Sequence, residues 1–437
     1  MEVERRGDVR WYYLLSNLKE DEIVSNTKPF EIPKSLVWKA WLMVKANKGA
    51  AGVDQESIYM FEQNLAENLY KLWNRMSSGT YFPPPVKAVE IPKKQGGFRT
   101  LGVPTVGDRI CQNVVKLVFE PQVEPSFLAD SYGYRPNKSA VDAVGTTRVR
   151  CWKYDWVLEF DIRGLFDNLD WDLLMKAVRK HTDNKWVILY IERWLNAPMQ
   201  KSDGTITPRK CGVPQGGCIS PVLSNLFLHY VFDVWMSSHH SHIPWARYAD
   251  DAVCHCNTEA EAQALLVELK QRFAECKLEL HPDKTKIVYC KDGTRKLDYP
   301  DTKFKFLGYE FRRRKVKNSQ TNGIFVSFTP AVCPEAKKEM RAKIRGLNIR
   351  NRTDLSLKAI AEWVNPILAG WINYYGKYSK SALYPVLKSF NLTLVSWARH
   401  KYKKLHRHKA KAFKFIDGLK QKQPDLFVHW RHRMFAT

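Results

Sequence analysis

Two adjacent acidic residues, Asp250 and Asp251, lie within an apolar segment at residues 243–255. Apolar runs on either side of a short polar step predict two buried β-strands joined by a tight turn. The acids would then lie at the tip of a β-hairpin. Neighbouring carboxylates repel each other unless a cation or a basic side chain shares their charge. The alternative is an ordinary solvated turn, because Asp is common in turns.

A third acidic residue lies in a similar setting. A strand-like apolar run ends in Asp161 and is followed by a helix-like stretch at residues 170–180. If this run is a sheet neighbour of the hairpin, Asp161 lies beside Asp250 and Asp251. Three converging carboxylates without Cys or His ligands favour Mg²⁺ or Mn²⁺, which prefer oxygen. Two such ions, roughly 3.5–4 Å apart, commonly serve in-line attack of a hydroxyl on a phosphate.

The segments around these acids resemble bacterial group II intron-encoded reverse transcriptase/maturases. Three of them resemble successive polymerase motifs: FDIRGLFD at 160–167, GVPQGGCISPVLSNLFLH at 212–229 and YADD at 248–251. Flanking segments narrow the resemblance further: NKGAAGVD at 47–54, IPKKQGGFRTLGVPTVGDR at 91–109, SYGYRPNKSA at 131–140, HPDKTK at 281–286, FKFLGY at 304–309 and GWINYY at 370–375. The resemblance is collinear from about residue 38 to about residue 404.

The resemblance implies an α+β right-hand polymerase with an antiparallel palm sheet. The implied domains are an N-terminal extension (1–85), fingers (86–155), a palm with interleaved fingers elements (156–330), a helical thumb or maturase region (331–405) and a basic C-terminal appendix (406–437). We expect no endonuclease domain, because the zinc-type Cys/His pattern of that module is missing from the sequence.

The implied catalytic centre is a two-metal site. Asp161, Asp250 and Asp251 would be catalytic and, with Ile162, would hold two Mg²⁺ ions, for which Mn²⁺ is a possible substitute. The primer 3′-hydroxyl would attack the α-phosphate of a deoxynucleoside triphosphate.

A predicted hairpin at residues 86–101, with its turn at 95–97, carries Lys93 and Arg99. Arg suits bidentate phosphate contacts and Lys acts as a compact point charge. The resemblance implies that both bind the triphosphate of the nucleotide, and a solvated hairpin face is the alternative. Weaker candidates are Arg109 and Arg135, with bracing of the fingers by residues 131–136 as the alternative.

Phe166 lies five residues after Asp161, where the family carries an aromatic steric gate. A ring beneath the sugar leaves no room for a 2′-hydroxyl, so deoxynucleotides would be preferred; an ordinary core Phe is the alternative. Leu165 stands where the family more often has a second aromatic residue. Gln215, in a Gly- and Pro-rich loop, is predicted to hydrogen-bond to the template or the nucleotide.

Further implied residues lie downstream. Lys284 or Lys286 would protonate the leaving pyrophosphate, although a surface role is equally open for either. The implied primer grip consists of Phe306, Leu307 and Gly308.

We also expect contacts to template or RNA in two regions. Lys48 and Gly49 lie in a small-residue loop, for which a plain helix–helix connection is the alternative. Trp371, Tyr374 and Tyr375 interleave with basic residues in the predicted helical thumb.

Charge supports a polyanionic partner. Lys and Arg number 70 against 45 Asp and Glu, a formal net charge of +25. Phosphate neutralisation by such residues dominates nucleic-acid affinity, so the charge predicts a nucleic acid, and the resemblance implies an RNA template, a DNA primer and a group II intron RNA as partners. Because no signal segment and no apolar stretch of about 18 residues is evident, we expect no membrane partner and a cytoplasmic protein associated with RNA and the nucleoid. The nine cysteines are scattered and predict reduced thiols.

Other functions share parts of this pattern. An RNA-binding splicing factor needs no catalysis, but a pure binder has no use for three clustered acids. A reverse transcriptase serving defence or repair keeps the same chemistry. An RNA-dependent RNA polymerase shares the paired acids, yet Phe166 would exclude ribonucleotides. A membrane-surface protein explains the charge but not the acids.

Overall fold

Helices and mostly antiparallel sheets alternate along the chain, as the α+β prediction expected. The computed structural model describes residues 28–92, 96–317, 321, 323–432 and 434. The helices are α1 (Lys34–Asn47), α2 (Ile58–Gln63), α3 (Leu65–Ser77), α4 (Val106–Val123), α5 (Ala140–Arg150), α6 (Leu165–Asn168), α7 (Trp171–His181), α8 (Lys185–Asn196), α9 (Ser220–Leu228), α10 (Val234–His239), α11 (Glu259–Glu275), α12 (Pro334–Gly346), α13 (Leu357–Tyr375), α14 (Tyr384–Lys401), α15 (Lys409–Lys422) and α16 (Val428–Arg431). The strands are β1 (Val86–Pro92), β2 (Phe98–Val103), β3 (Trp156–Asp161), β4 (Met199–Gln200), β5 (Ile206–Thr207), β6 (Trp245–Tyr248), β7 (Asp251–Cys256), β8 (Lys286–Tyr289), β9 (Lys303–Phe306), β10 (Tyr309–Lys317) and β11 (Ile324–Val332).

The first sheet has the strand order β2-β1-β4-β5. β1 and β2 form the antiparallel hairpin that the sequence predicts, with Ile91 opposite Arg99. Helix α4 begins soon after β2 because the Thr105 hydroxyl accepts a hydrogen bond from the Asp108 N–H, at 3.1 Å. The hairpin is therefore anchored at its base to a long buried helix.

The central sheet has the order β6-β7-β3-β8 and is antiparallel throughout. Phe160 of β3 packs edge-on against Phe232 and Phe273, with ring centroids 5.5 Å and 5.9 Å away. Helix α11 carries Phe273. Thr258 and Glu261, three residues apart before an apolar run, predict a capping box at its start, and the Thr258 hydroxyl accepts a hydrogen bond from the Glu261 N–H. This packing fixes the end of β3, where Asp161 lies.

The apolar stretch at residues 223–236 predicts one helix, but in the structure that helix is interrupted. Helix α9 ends at Leu228, His229–Asp233 forms a single π-helical turn, and α10 begins at Val234. The Asp233 side chain is fully buried in this turn. Single π-turns inside helices often occur at functional sites, and this one directs an acid into the protein beneath β6.

The third sheet has the order β11-β10-β9. Two polar stretches that contain Gly or Asn, residues 292–301 and 315–323, predict linking loops. The second prediction is wrong for residues 315–317, which complete strand β10. Residues 318–320 and 322 lie outside the described part. The other predicted loop, at residues 292–301, is a loop in the structure, and it is held by Arg295, whose guanidinium donates to the Cys151 carbonyl at 2.9 Å.

The C-terminal helices share one hydrophobic cluster. It includes Phe390 and Trp397 of α14 together with Phe427 and Trp430. The amide of Asn365 in α13 donates to the Leu426 carbonyl at 2.9 Å, which ties the last described segment to the preceding helices. The domain boundaries drawn from the sequence stay predictions.

The nine cysteines are all free, and seven of them are buried. This agrees with the expected reduced thiols. None of the described helices combines the length and the apolar character that a membrane-spanning helix needs.

Candidate active site

The structure brings Asp161, Asp250 and Asp251 together at one end of the central sheet. Asp161 and Asp251 are directly opposite each other in the β3–β7 pairing. Ala249 and Asp250 form the tight turn between β6 and β7, and Ala249 adopts a left-handed backbone with φ 56°. The Ile162 N–H donates to the Asp250 carbonyl at 3.0 Å, which ties the turn to the end of β3.

Burial and mutual repulsion perturb these carboxyl groups. Burial, followed by the Asp161 carboxylate, raises the pKa of Asp250. Burial also raises the pKa of Asp251 well above its usual range, and the carboxylates of Glu159, Asp250 and Asp161 add to the effect. The sequence analysis did not single out Glu159, although residues two apart on a strand share a face. The site therefore holds more negative charge than its surroundings neutralise.

One of the two candidate lysines reaches this cluster. The Lys284 ammonium lies 3.0 Å from Asp161 Oδ2. Lys286 instead lies opposite Glu159 in the β3–β8 pairing and partly offsets the effect of burial on the pKa of Glu159. The structure thus separates the two lysines by location, while a role in proton transfer stays a prediction.

The acids have the chemistry of a hard-metal site. Within the described ranges, no three His, Cys, Asp or Glu side chains are arranged as a ready ligand set. The carboxylates supply only oxygen donors, and their mutual repulsion is what a divalent cation relieves. Asp161, Asp250 and Asp251 therefore fit Mg²⁺ or Mn²⁺ by donor type and by uncompensated charge.

Phe166 and Gln215 lie at a neighbouring cavity. This open cavity of about 900 Å³ is lined by both side chains and by Asp167. The Gln215 amide donates weakly to the Asp167 carboxylate, at 3.3–3.4 Å. The Val213 N–H donates to the Phe166 carbonyl at 2.6 Å, so the Gly- and Pro-rich loop is attached to the helix that carries Phe166.

Comparison with known proteins identifies the family. Residues 91–311, about half of the chain, match the family described as reverse transcriptase (RNA-dependent DNA polymerase). The chain belongs to the reverse transcriptases. A second region, residues 337–414, matches the group II intron, maturase-specific domain. The resemblance found in the sequence is thereby confirmed.

Relatives of this reverse transcriptase include bacterial and plant proteins. It is 32% identical to Protein YkfC of Escherichia coli over 311 residues, which cover 62% of this chain and 78% of that protein. It is 30% identical to the Group II intron-encoded protein LtrA of Lactococcus lactis subsp. cremoris over 212 residues, 48% of this chain and 35% of LtrA. A shorter match, 28% over 89 residues, is to the Nuclear intron maturase 1, mitochondrial, of Arabidopsis thaliana and covers 20% of this chain and 12% of that protein.

Of the two basic residues predicted to bind the triphosphate, Arg99 lies within the described part of the chain. Arg99 is exposed on β2. Burial and the nearby Asp250 carboxylate raise the pKa of the Tyr134 phenol, and the positive charge of Arg99 partly offsets that rise. Lys93 lies outside the described residues. Arg99 is thus on the same side of the molecule as Asp250.

The predicted primer grip adjoins the acids. Leu307 and Gly308 form the left-handed turn between β9 and β10, with φ values of 52° and 78°. The Leu307 N–H donates to the Asp251 carboxylate and lowers its pKa, which partly offsets burial. Phe306, which ends β9, is fully buried. This turn therefore contacts an acid of the site directly.

The aromatic residues predicted to contact RNA lie largely in packing positions. The Tyr374 hydroxyl donates to the Leu307 carbonyl at 2.8 Å. A Cβ added to Gly308 would lie 2.8 Å from the Tyr375 hydroxyl, so the two are in close contact. Trp371 packs against the C-terminal cluster. The contacts of these residues with RNA stay predictions.

The loop with Lys48 and Gly49 is attached to helix α4. Lys48 is exposed and ends α1 with φ 47°. Arg109 donates to the Ala50 carbonyl at 2.7 Å, and a Cβ added to Gly49 would lie 1.9 Å from its guanidinium. Arg135 binds Glu124 at 2.8 Å. Arg109 thus holds the backbone of this loop, and Arg135 is paired with an acid of the chain; nucleotide contacts of either residue, and bracing of the fingers by residues 131–136, stay predictions.

Sequence reasoning missed the anchor beneath the aspartate turn. Arg247 is 0% exposed, and its guanidinium binds the Asp233 carboxylate at 2.6 Å and 2.8 Å. It also donates to the Ser131 hydroxyl at 2.9 Å and to the Ala249 carbonyl at 3.3 Å. A basic residue inside an apolar strand is a signal for such a partner, because an unpaired buried charge is costly.

Proposed function

We propose that this reverse transcriptase is a right-hand polymerase that copies RNA into DNA by extending a primer 3′-hydroxyl with deoxynucleotides. The first sheet would belong to the fingers, the central sheet to the palm and the C-terminal helices to the thumb. The observation that carries the proposal is the pairing of Asp161 with Asp251 across β3 and β7, with Asp250 in the adjoining turn.

Different side chains around the acids would bind the nucleotide, the template and the primer. Arg99 and Lys93 would bind the triphosphate, and Phe166 would lie beneath the sugar. Gln215 would contact the nucleotide or the template from its loop, and the turn at residues 307–308 would hold the primer end beside Asp251. Such fixed placement of the two reactants lowers the entropic part of the barrier.

Metal chemistry would complete the site. Activation of the primer hydroxyl and neutralisation of phosphate charge are what two bound Mg²⁺ or Mn²⁺ ions supply. Asp161, Asp250 and Asp251 would hold these ions, with Ile162 adjoining them. Lys284, already beside Asp161, is the better placed of the two lysines to give a proton to the leaving pyrophosphate.

We also propose a maturase function through binding of group II intron RNA, associated with RNA and the nucleoid in the cell. The match of residues 337–414 to the maturase-specific domain favours it. So does a set of exposed basic residues in and before α15: Lys403, Lys404, Arg407, Lys409, Lys411 and Lys414. Their spacing along one short segment suits a phosphate backbone.

Primer extension tests the polymerase proposal. The unchanged chain and an Asp250→Asn, Asp251→Asn double variant would be given an RNA template, a DNA primer, Mg²⁺ and either dNTPs or rNTPs. We expect extension with dNTPs by the unchanged chain only, because the amides keep the shape of the acids but cannot carry their charge.

The matched control is an Asp298→Asn, Asp354→Asn double variant. These side chains are 94% and 59% exposed and lie outside the site, so extension should persist. If the unchanged chain binds RNA in a salt-sensitive way but extends no primer, the polymerase proposal fails and the maturase function stands alone. Extension with rNTPs as good as that with dNTPs would contradict the role given to Phe166.

A further inference from the structure

Tyr134 has an unusual backbone beside the site. Its φ is 56°, in the left-handed region that bulky residues rarely adopt. The residue is 49% exposed, so burial of apolar surface explains only part of why a ring is held there. Strained backbone of this kind persists only where the surrounding structure enforces it, and it gathers at functional sites.

The Tyr134 ring touches two parts of the proposed active site at once. It lies edge-on to Phe166, with the centroids 6.4 Å apart and the planes at 75°. It also lies 6.2 Å from the ring of Tyr248, the last residue before the aspartate turn. Tyr134 therefore fills the space between the candidate sugar gate and the strand that carries Asp250.

Hydrogen bonds to helix α9 and strand β6 hold the loop that carries Tyr134. The Asn225 amide donates to the Gly133 carbonyl at 2.6 Å, and the Tyr132 N–H donates to the Arg247 carbonyl at 2.8 Å. A Cβ added to Gly133 would lie 2.4 Å from the Ala249 nitrogen, so the loop presses directly on the aspartate turn. The buried guanidinium of Arg247 donates to the Ser131 hydroxyl and to the Ala249 carbonyl, so it holds the backbone of both segments in place.

We propose that Tyr134 is a positioning residue of the sugar gate, whose ring holds Phe166 in place beneath the nucleotide's sugar. This rests on the proposed function. Phe166 is carried by the four-residue helix α6 and is only partly buried, with part of its side chain packed against the main hydrophobic core, so the position of its exposed part depends on other neighbours. Edge-to-face contact with a rigid neighbour restricts the gate ring and keeps the space of a 2′-hydroxyl closed.

Single-nucleotide incorporation on an RNA template tests this. For each variant, kcat/KM would be measured for one dNTP and for the matching rNTP. We expect Tyr134→Ala to lower the dNTP-to-rNTP ratio by about two- to tenfold, the size of one aromatic pair contact. The change should come from faster rNTP incorporation. Tyr134→Phe keeps the ring and should keep the ratio.

Three further variants sharpen the test. Phe166→Ala gives the ratio for a missing gate. Tyr59→Ala removes a tyrosine that is 72% exposed on α2 and should leave the ratio unchanged. Tyr134→Asn removes the ring but tolerates the left-handed backbone, so it carries the test if Tyr134→Ala does not fold.

The outcomes separate the two proposals. A folded Tyr134→Asn or Tyr134→Ala variant with an unchanged ratio, or with dNTP and rNTP rates lowered equally, overturns the role of Tyr134 and leaves the polymerase intact. Failure of the unchanged chain to incorporate dNTPs overturns the proposed function and the gate with it. A lowered ratio restored by Tyr134→Phe supports the proposal.

Discussion

Glu159 is an acid beside the cluster of Asp161, Asp250 and Asp251, and its carboxyl group ionises near neutral pH. It lies two positions before Asp161 on β3, and the pKa of its carboxyl group is raised to about 7. Burial is the main cause, and the Lys305 N–H, Lys286 and the Lys305 ammonium offset it only in part. Because its charge also raises the pKa of Asp251, each of the two acids disfavours ionisation of the other.

This perturbation predicts how stability depends on pH. Ionising Glu159 costs more in the folded chain than in the unfolded one, so its contribution to stability is present at low pH and lost as the pH rises through about 7. We expect Glu159→Gln to equal the unchanged chain at about pH 4.5 and to be more stable by at most about 3 kcal/mol at about pH 8. Urea unfolding without divalent ions measures the difference.

The control for Glu159→Gln is Glu67→Gln, whose side chain is 64% exposed and pairs only with Lys71 on the same helix. It should show no such growth of stability between acid and alkaline pH. A Glu159→Gln difference that stays constant with pH would contradict the raised pKa. Added Mg²⁺ should shrink the difference at alkaline pH, because a bound cation stabilises the ionised cluster.

Among the elements, those with a local signal were predictable. The capping box at Thr258, the hairpin of β1 and β2 and the aspartate turn each depend on residue types a few positions apart. The π-helical turn at His229–Asp233 could not be read this way, because it is stabilised by Arg247 on a distant strand. The length of β10 was missed for a similar reason: its polar end pairs with β11 rather than forming a free loop.

The same distinction applies to the site. The three aspartates and Phe166 could be proposed because each lies in a recognisable motif, and their roles stay predictions. Glu159 was not singled out, and Tyr134 was named only within residues 131–136, since the contacts that distinguish them come from other segments: Asp251 for one and Phe166 for the other. Residues that act by positioning another group leave little trace in a single sequence.

The buried pair of Arg247 and Asp233 predicts a large stability effect at the level of the elements around the central sheet. Asp233→Ala leaves a buried guanidinium unpaired, which typically costs about 3–5 kcal/mol. Urea unfolding of the variant should show this loss. Replacing both residues, as Asp233→Leu with Arg247→Met, should recover part of it, because apolar side chains need no partner.

A surface pair provides the comparison for this loss. Arg431 and Asp425 form an ion pair whose side chains are 60% and 76% exposed. Exposed pairs contribute about 0–1 kcal/mol, so Asp425→Ala should change the free energy of unfolding little. Equal losses for Asp233→Ala and Asp425→Ala would contradict the anchoring role of Arg247.

For the molecule as a whole, the distribution of charge determines which surface binds nucleic acid. The net charge of +25 already counts every acid, but several acids lie in the site or in internal ion pairs such as Asp233 with Arg247, away from the exposed lysines. In the part of the chain that the structure describes, Lys420 pairs with Asp417, whereas the exposed lysines Lys403, Lys404, Lys409, Lys411 and Lys414 are in none of the ion pairs. Positive potential should therefore concentrate on the C-terminal helices.

This concentration predicts a salt signature for RNA binding. Each phosphate contact contributes a slope of roughly 0.7 to the fall of log Kobs with log salt for single strands. Lys409→Gln with Lys411→Gln should therefore lower the slope by up to about 1.4, as measured by RNA-binding titrations at several salt concentrations. Lys71→Gln with Lys270→Gln removes the same charge from α3 and α11, where Lys71 already pairs with Glu67, and should change the slope little. Equal changes in both double variants would mean that net charge alone attracts RNA, because only localised contacts distinguish one lysine pair from another.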